Sequence, residues 1–110
     1  MIKPRPNSPI NIGQFQNCIK SEKYEISLHA HKERCYEGIN IRDIEKAVLQ
    51  GEIIEHYPED KRGASCLILG YTNKKAIHIV CTLLPNQWMR IITVYIPGKH
   101  KWVNPKQRRR

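Results

Sequence analysis

The chain has 110 residues, the length of one compact domain, and 40% of them are hydrophobic and 26% charged, as in ordinary globular proteins. No apolar run approaches the roughly 20 residues that a membrane-spanning helix needs. The opening stretch MIKPRPNSPINIG also lacks the apolar centre of a secretory signal. These features exclude an integral membrane protein, and we expect a cytoplasmic protein.

The net charge of +9 is concentrated at the two ends of the chain. Residues 1–7 and 99–110 carry 8 of the 19 basic residues and no acidic residue, so residues 8–98 hold 11 basic against 10 acidic residues. A basic end on a nearly neutral body attracts a polyanion or an acidic protein through a contact that salt screens. The terminal sequence KQRRR fits a solvated tail equally well.

The four cysteines stand singly, with no C-x-x-C pair and no Cys/His spacing typical of a zinc site. Cys66 and Cys81 fall inside apolar, strand-like runs, which favours buried and reduced thiols. No Walker loop, dinucleotide fingerprint or hydrolase elbow is present. We therefore expect neither a metal nor a cofactor.

Three helices are predicted in the first half of the chain. Each follows a residue that favours a helix start, namely Ser8, Ser27 and Asn40, and apolar residues then recur at spacings of three and four. Gly38 and Gly51 suit the ends of the second and third helices.

The periodicity changes after the third helix. Four β-branched and aromatic runs, EIIEHYP, SCLILGYT, AIHIVCTLL and MRIITVYIP, are separated by links of hairpin length. They predict a four-stranded antiparallel meander, and because helices precede strands, the fold class is α+β with the helices packed on one face of the sheet. We expect a segment with a helix over residues 1–23, one α+β domain over 24–104, and a basic tail over 105–110.

Alternation along the last two predicted strands assigns their side chains to two faces. The apolar sets that we expect to face the helices are Ile77, Ile79 and Cys81 on one strand and Ile92, Val94 and Ile96 on the other. His78, Thr82, Thr93 and Tyr95 are left on the opposite or open face, provided that the register pairs them. That face is the expected place for a site.

The stretch SLHAHKER, residues 27–34, places two histidines and an arginine at the start of the second predicted helix. His29 falls in the first turn, where free N–H groups and the helix dipole favour an anion such as phosphate. A histidine packed against the sheet, beside an exposed Glu and Arg surface, is the alternative interpretation.

Two further residues have both a chemical and a structural interpretation. His78 titrates in the range of a general acid or base, and it also fits a hydrogen-bonded strand histidine. Arg62, in the turn YPEDKRGASC, suits a phosphate, and it also fits the polar tip of a turn. Tyr95 suits stacking on a base, and Arg90 suits contact with phosphate.

The segments SLHAHKER, INIRDIEKAVLQGEIIEHYPEDKRGASCLILGY, IHIVC and IITVYIP, taken in order, resemble DUF family 4258, a small bacterial family of unknown function. That family is similar to the RelE and barnase-type ribonuclease toxins, in which helices precede a four-stranded antiparallel sheet. The resemblance implies a type II toxin acting as a metal-independent endoribonuclease on RNA, with a cognate antitoxin protein as partner.

The residue roles implied by the resemblance fall on particular positions. The family's recurring polar residues correspond to His29, Arg62, His78 and Tyr95, which we expect to be catalytic. Many members read H-A-x-x-R, whereas Arg34 of this chain is displaced by one position, which rotates a helical side chain by about 100°.

RNA contacts are expected from six basic residues: Arg34, Arg90, Lys106, Arg108, Arg109 and Arg110. A non-catalytic module that binds RNA or a partner protein is the alternative to an enzyme, and a structural domain that pairs a sheet edge with a partner strand is a third interpretation. The sequence leaves open which histidine is the acid, the RNA that is cut and the oligomeric state.

Overall fold

The computed structural model describes residues 10–61, 63–73, 75–98 and 102–108. In this part of the chain the helices are α1 (Ile12–Lys20), α2 (Leu28–Glu37) and α3 (Ile41–Leu49). The strands are β1 (Tyr24–Ile26), β2 (Glu52–Tyr57), β3 (Ser65–Thr72), β4 (Lys75–Leu83), β5 (Met89–Tyr95), β6 (Trp102–Asn104) and β7 (Gln107–Arg108). None of these helices has the length and apolar character that crossing a bilayer requires.

The ends of α2 and α3 follow from local hydrogen bonding. Ser27 caps α2 by accepting the N–H of Ala30, and Gly38 ends the helix in the left-handed conformation, with φ of 72°. Asn40 and Asp43 form a reciprocal capping box at the start of α3. The predicted limits of these two helices are confirmed.

The predicted start of the first helix at Ser8 is wrong. The helix begins at Ile12, because Asn11 accepts the N–H of Gln14 while the Gln14 side chain accepts the N–H of Asn11. This capping box satisfies backbone groups that a longer helix would otherwise have to bond. Ser8 itself lies outside the described residues.

The α+β class is confirmed, but the sheet differs from the predicted one. Strands β2 to β5 pair consecutively and antiparallel, while β1 adds a fifth strand parallel to β5, so the order is β1-β5-β4-β3-β2. The predicted four-stranded, wholly antiparallel sheet is therefore wrong. A three-residue strand is too short to show alternation in the sequence, and tertiary pairing alone defines it.

The core fills the space between the helices and one face of the sheet. Phe15 from α1 and Ile44 and Val48 from α3 are fully buried there, against strand residues such as Ile68 and Ile79. Cys66 and Cys81 are also buried, as predicted, and burial raises the pKa of the Cys66 thiol to about 11.

A bulge in β5 changes the predicted alternation. Val80 pairs with Thr93 and Cys81 pairs with Ile91, so Ile92 has no partner in the register. Ile92 therefore packs with Leu67 and Val80 on the face away from the helices, whereas Ile91 joins the helix-side core. The prediction that Ile92 faces the helices is wrong for this reason.

The face opposite the helices carries the small sheet of β6 and β7. The carbonyl of Pro105, in the turn between these strands, lies 2.7 Å from His78 Nε2. Lys106 and Arg108 form ion pairs with Glu52 and Glu55 of β2. His78 is fully buried in consequence, and residues 105–108, which the sequence suggests as a tail, belong to this hairpin.

Candidate functional site

An open pocket of about 390 Å³ lies where α2 passes the end of β5. We call it the α2–β5 pocket. Its lining residues are His29, Lys32, Glu33, Tyr36 and Glu37 of α2 and Tyr95 of β5. Its volume is within the range typical of sites for small ligands.

The short length of β1 creates the room for this pocket. Because β1 ends at Ile26, it covers only the first half of β5, and α2 runs beside the second half. Ser27 fixes this arrangement, since its N–H donates to the carbonyl of Ile91 and its hydroxyl donates to the carbonyl of Ile92. The start of α2 is thus anchored at the bulge of β5.

Glu33 joins α2 to the edge of the sheet. Its carboxylate accepts the backbone N–H of Val94 at 3.1 Å and the hydroxyl of Thr93. The same carboxylate oxygen lies 3.3 Å from Nε2 of His29, one helical turn earlier. A carboxylate held in this way fixes the orientation of the imidazole, whose side chain is 71% exposed.

Tyr95 connects the pocket to a buried histidine. His78 and Tyr95 are directly opposite in the register of β4 and β5, with Nδ1 of His78 3.3 Å from the Tyr95 hydroxyl. Because the Pro105 carbonyl only accepts, Nε2 of neutral His78 carries the proton and donates to it. Nδ1 then accepts the Tyr95 O–H.

Burial lowers the pKa of His78, and the Pro105 carbonyl and Glu55 partly offset this effect. The neutral form assumed in this hydrogen-bond chain is therefore the favoured one near neutral pH. His78 contacts the pocket through Tyr95, since both of its ring nitrogens have protein partners.

A second cluster of polar residues lies on the same face as His78. Arg108 donates from Nε and from a terminal nitrogen to Glu55, and the Tyr57 hydroxyl donates to the same carboxylate. Arg108 holds the pKa of Glu55 below its usual value, whereas burial and Glu55 raise the pKa of Tyr57. These contacts fasten the β6–β7 hairpin to β2.

The structure brings together part of the predicted site. His29 and Tyr95 line one pocket, and His78 lies behind Tyr95. Arg62 lies outside the described residues, and the phosphate contact expected of it stays a prediction.

The residues predicted to bind RNA do not line the pocket. Arg34 is half-buried and donates to the carbonyl of Ile39, and Arg90 pairs with Glu25. Lys106 and Arg108 form the ion pairs with β2 described above. Arg109 and Arg110 lie outside the described residues. The four predicted cations that are described thus already have intramolecular partners.

Sequence reasoning did not assign a site role to Glu33, Tyr36 or Glu37. The spacing of four between His29 and Glu33 was visible, but the contacts of Glu33 with Thr93 and Val94 span about 60 positions and follow only from the fold. In the described part of the chain no group of three or more His, Cys, Asp or Glu residues is placed to hold a metal ion.

Comparison with known proteins identifies the family. A family model described as a domain of unknown function, DUF4258, matches residues 26–96, which include α2, α3 and the four strands β2 to β5. No curated protein and no solved structure matches the chain. Because the match covers well over half of the 110 residues and includes the whole α2–β5 pocket, the chain belongs to the DUF4258 family.

Proposed function

We propose that this protein is a metal-independent endoribonuclease and the toxin of a type II toxin-antitoxin pair. The observation that carries the proposal is the pairing of His29 with Glu33 in an open pocket, beside a Tyr95 hydroxyl that is held by a buried histidine. This arrangement offers proton transfer, orientation and access for a polymer at one place on the surface. The kinship with RelE and barnase-type toxins is part of the proposal.

RNA cleavage of this kind joins the ribose 2'-oxygen to the phosphorus and breaks the bond from phosphorus to the 5'-oxygen. The 2'-hydroxyl loses a proton and the departing 5'-oxygen gains one, so the products are a 2',3'-cyclic phosphate and a 5'-hydroxyl. The catalyst must therefore supply a base, an acid and positive charge near the phosphate.

In the α2–β5 pocket one histidine exchanges both protons, a lysine supplies positive charge and a tyrosine orients the substrate. His29 exchanges protons with the substrate, since Glu33 holds its Nε2 and its Nδ1 has no partner among the described residues. Tyr95, which lines the same pocket and is held by His78, orients the ribose or the base. Lys32 brings positive charge to the same pocket. His78 acts by positioning Tyr95, because its own nitrogens are engaged.

The proposal is tested by expressing the chain from a tightly controlled promoter, with and without the neighbouring gene, which we expect to encode the antitoxin, while following growth and total RNA. We expect growth arrest with RNA cleavage, relieved by the neighbouring gene product and by His29→Ala. The variant His31→Ala is the matched control, because His31 is an exposed histidine on the same helix outside the pocket lining. Normal growth with intact RNA and accumulated folded protein contradicts the proposal.

A non-catalytic binding module is the second candidate, and two observations favour a protein partner for it. Leu28 and Tyr36 of α2 are 69% and 91% exposed, and large exposed apolar groups are enriched where proteins bind each other. The intramolecular ion pairs of Arg90, Lys106 and Arg108 also reduce the charge available to RNA. A stable complex with the neighbouring gene product, without RNA cleavage at any protein concentration, favours this candidate.

A further inference from the structure

Two residues at the end of α2 have no role in the proposed cleavage chemistry. Tyr36 is 91% exposed, and Glu37 is half-buried, yet both line the α2–β5 pocket. Among the described residues neither side chain makes a hydrogen bond or an ion pair. A single exposed tyrosine is common on protein surfaces, but a ring and an unpaired carboxylate that share a pocket indicate a ligand.

An aromatic ring and a carboxylate that line one pocket correspond to the two ways in which proteins recognise an unpaired base. An aromatic ring binds the flat face of a base by stacking. A hydrogen-bonding side chain beside the ring then reads the edge of the base. Lys32 lies one helical turn before Tyr36 in the same pocket, where it suits an adjoining phosphate.

The chemistry of a carboxylate selects among the four bases. An ionised carboxylate only accepts hydrogen bonds, and it does so with two oxygens. Guanine alone presents two adjacent N–H donors on its pairing edge, at N1 and at the 2-amino group. Uracil presents one donor between two carbonyl acceptors, and adenine and cytosine present an amino group beside an acceptor nitrogen. A charge-assisted, bidentate contact therefore forms only with guanine.

Resting on the endoribonuclease proposal, we infer that the α2–β5 pocket holds a guanine base next to the phosphate that is cut, with Tyr36 stacked on the base and Glu37 accepting from N1–H and the 2-amino group. Glu33 is excluded from this role because Thr93, Val94 and His29 already engage its carboxylate. Glu37 is thus the specificity-determining residue, and Tyr36 contributes affinity for any base.

The test measures the binding of the four nucleoside 3'-monophosphates to the full-length protein by NMR titration. These probes resemble a cleavage product and are not turned over, so binding is measured apart from activity. We expect guanosine 3'-monophosphate to bind roughly tenfold more tightly than each of the other three. Glu37→Gln should remove this preference, and Tyr36→Ala should weaken all four nucleotides by about tenfold.

Matched controls separate these effects from general changes in charge or folding. Glu59→Gln removes an exposed carboxylate from the link between β2 and β3, and Tyr71→Ala removes a half-exposed ring from β3, both outside the pocket lining. Neither should change the affinity for any nucleotide. Equal affinities for the four nucleotides, a preference that survives Glu37→Gln, or no binding at all would overturn the inference.

The outcomes for this inference and for the enzyme are distinguishable. If RNA is cut without a guanine at the cleavage site and guanosine 3'-monophosphate is not preferred, the base pocket is refuted while the endoribonuclease stands. If guanosine 3'-monophosphate binds selectively and RNA is never cut, the endoribonuclease is refuted while the base pocket stands.

Discussion

At the scale of single residues, Glu33 has a structural role and, in the proposed cleavage, a chemical one, and one pair of substitutions separates the two. Glu33→Ala leaves the Val94 N–H without its partner and should lower the free energy of unfolding by about 1–3 kcal/mol. Glu33→Gln keeps an acceptor oxygen and should change stability much less. It removes the charge beside His29, however, and should slow RNA cleavage by on the order of tenfold or more.

Urea denaturation and RNA cleavage rates, measured on both Glu33 variants, check this prediction. Glu37→Gln, which changes a carboxylate of the same helix that bonds no described residue, is the control for stability. A Glu33→Gln variant that cleaves RNA at the wild-type rate would show that the carboxylate has no part in the chemistry.

His78 makes the free energy of unfolding depend on pH, and the burial of its ring sets the sign of that dependence. Its pKa in the folded protein lies below the ordinary value of 6.5 because burial disfavours the charged ring. Between these two pKa values the unfolded chain binds a proton that the folded chain does not, so the free energy of unfolding must fall as the pH falls from about 7 through this window.

Denaturation curves at several pH values between about 7.5 and 5 test this dependence. His78→Gln should reduce the fall in stability, and the exposed-residue control His31→Gln should keep it. An identical fall in the wild type and in His78→Gln would assign the pH dependence to other groups.

At the scale of elements, the contact between α3 and β3 requires the absence of a side chain at Gly70. A Cβ at this position would lie 2.2 Å from the backbone oxygen of Ala47, a distance that backbone atoms cannot relax without moving the helix. Gly70→Ala should therefore lower the free energy of unfolding by about 1–3 kcal/mol or more. Gly98→Ala, where nothing lies within 4 Å, is the matched control and should have no measurable effect. Thermal denaturation of both variants tests this prediction. Equal stabilities of the two variants would contradict the close packing of α3 on β3 at Gly70.

The β6–β7 hairpin is held to β2 by two ion pairs that contribute unequally to the free energy of unfolding. Glu55 is the less exposed acid, so Arg108→Gln should cost on the order of 1 kcal/mol once solvent screening is allowed for. Lys106→Gln breaks a pair that is exposed on both sides and should cost less. Because Arg108 lowers the pKa of Glu55, its contribution is present above the ordinary value of 4.5 and is lost as the pH falls through the folded-state pKa.

Denaturation of both hairpin variants near neutral pH and near pH 4 checks this ranking. The difference in the free energy of unfolding between the wild type and Arg108→Gln should be smaller near pH 4 than near neutral pH. A larger effect from Lys106→Gln than from Arg108→Gln would contradict the account.

The sequence predicted those elements whose limits depend on local chemistry. Ser27, Gly38 and the Asn40–Asp43 pair define their helix ends through neighbours within five positions, so their effect is visible in the sequence. β1 and the bulge at Ile92 depend on strands far away in the chain, and no local pattern marks them.

At the scale of the whole molecule, the sequence shows which residues carry charge and which are candidates for the site, but it does not show how they are arranged. The sequence indicates a basic C-terminus, but only the fold shows that Lys106 and Arg108 face acidic residues of β2. It likewise singles out His29, His78 and Tyr95. The division of their roles, with one histidine exposed in a pocket and the other buried behind a tyrosine, depends on the register of β4 and β5 and on the hairpin above them.

The measurement that tests the central claim most directly is cleavage of a defined RNA by the purified protein in the presence of EDTA, followed by analysis of the RNA ends. Wild type and His31→Ala should cut the RNA at the same positions and leave 2',3'-cyclic phosphate and 5'-hydroxyl ends. His29→Ala should cut at least about a hundredfold more slowly. Intact RNA with folded wild-type protein, or cleavage by His29→Ala at the wild-type rate, would contradict the assignment of the α2–β5 pocket as a ribonuclease site.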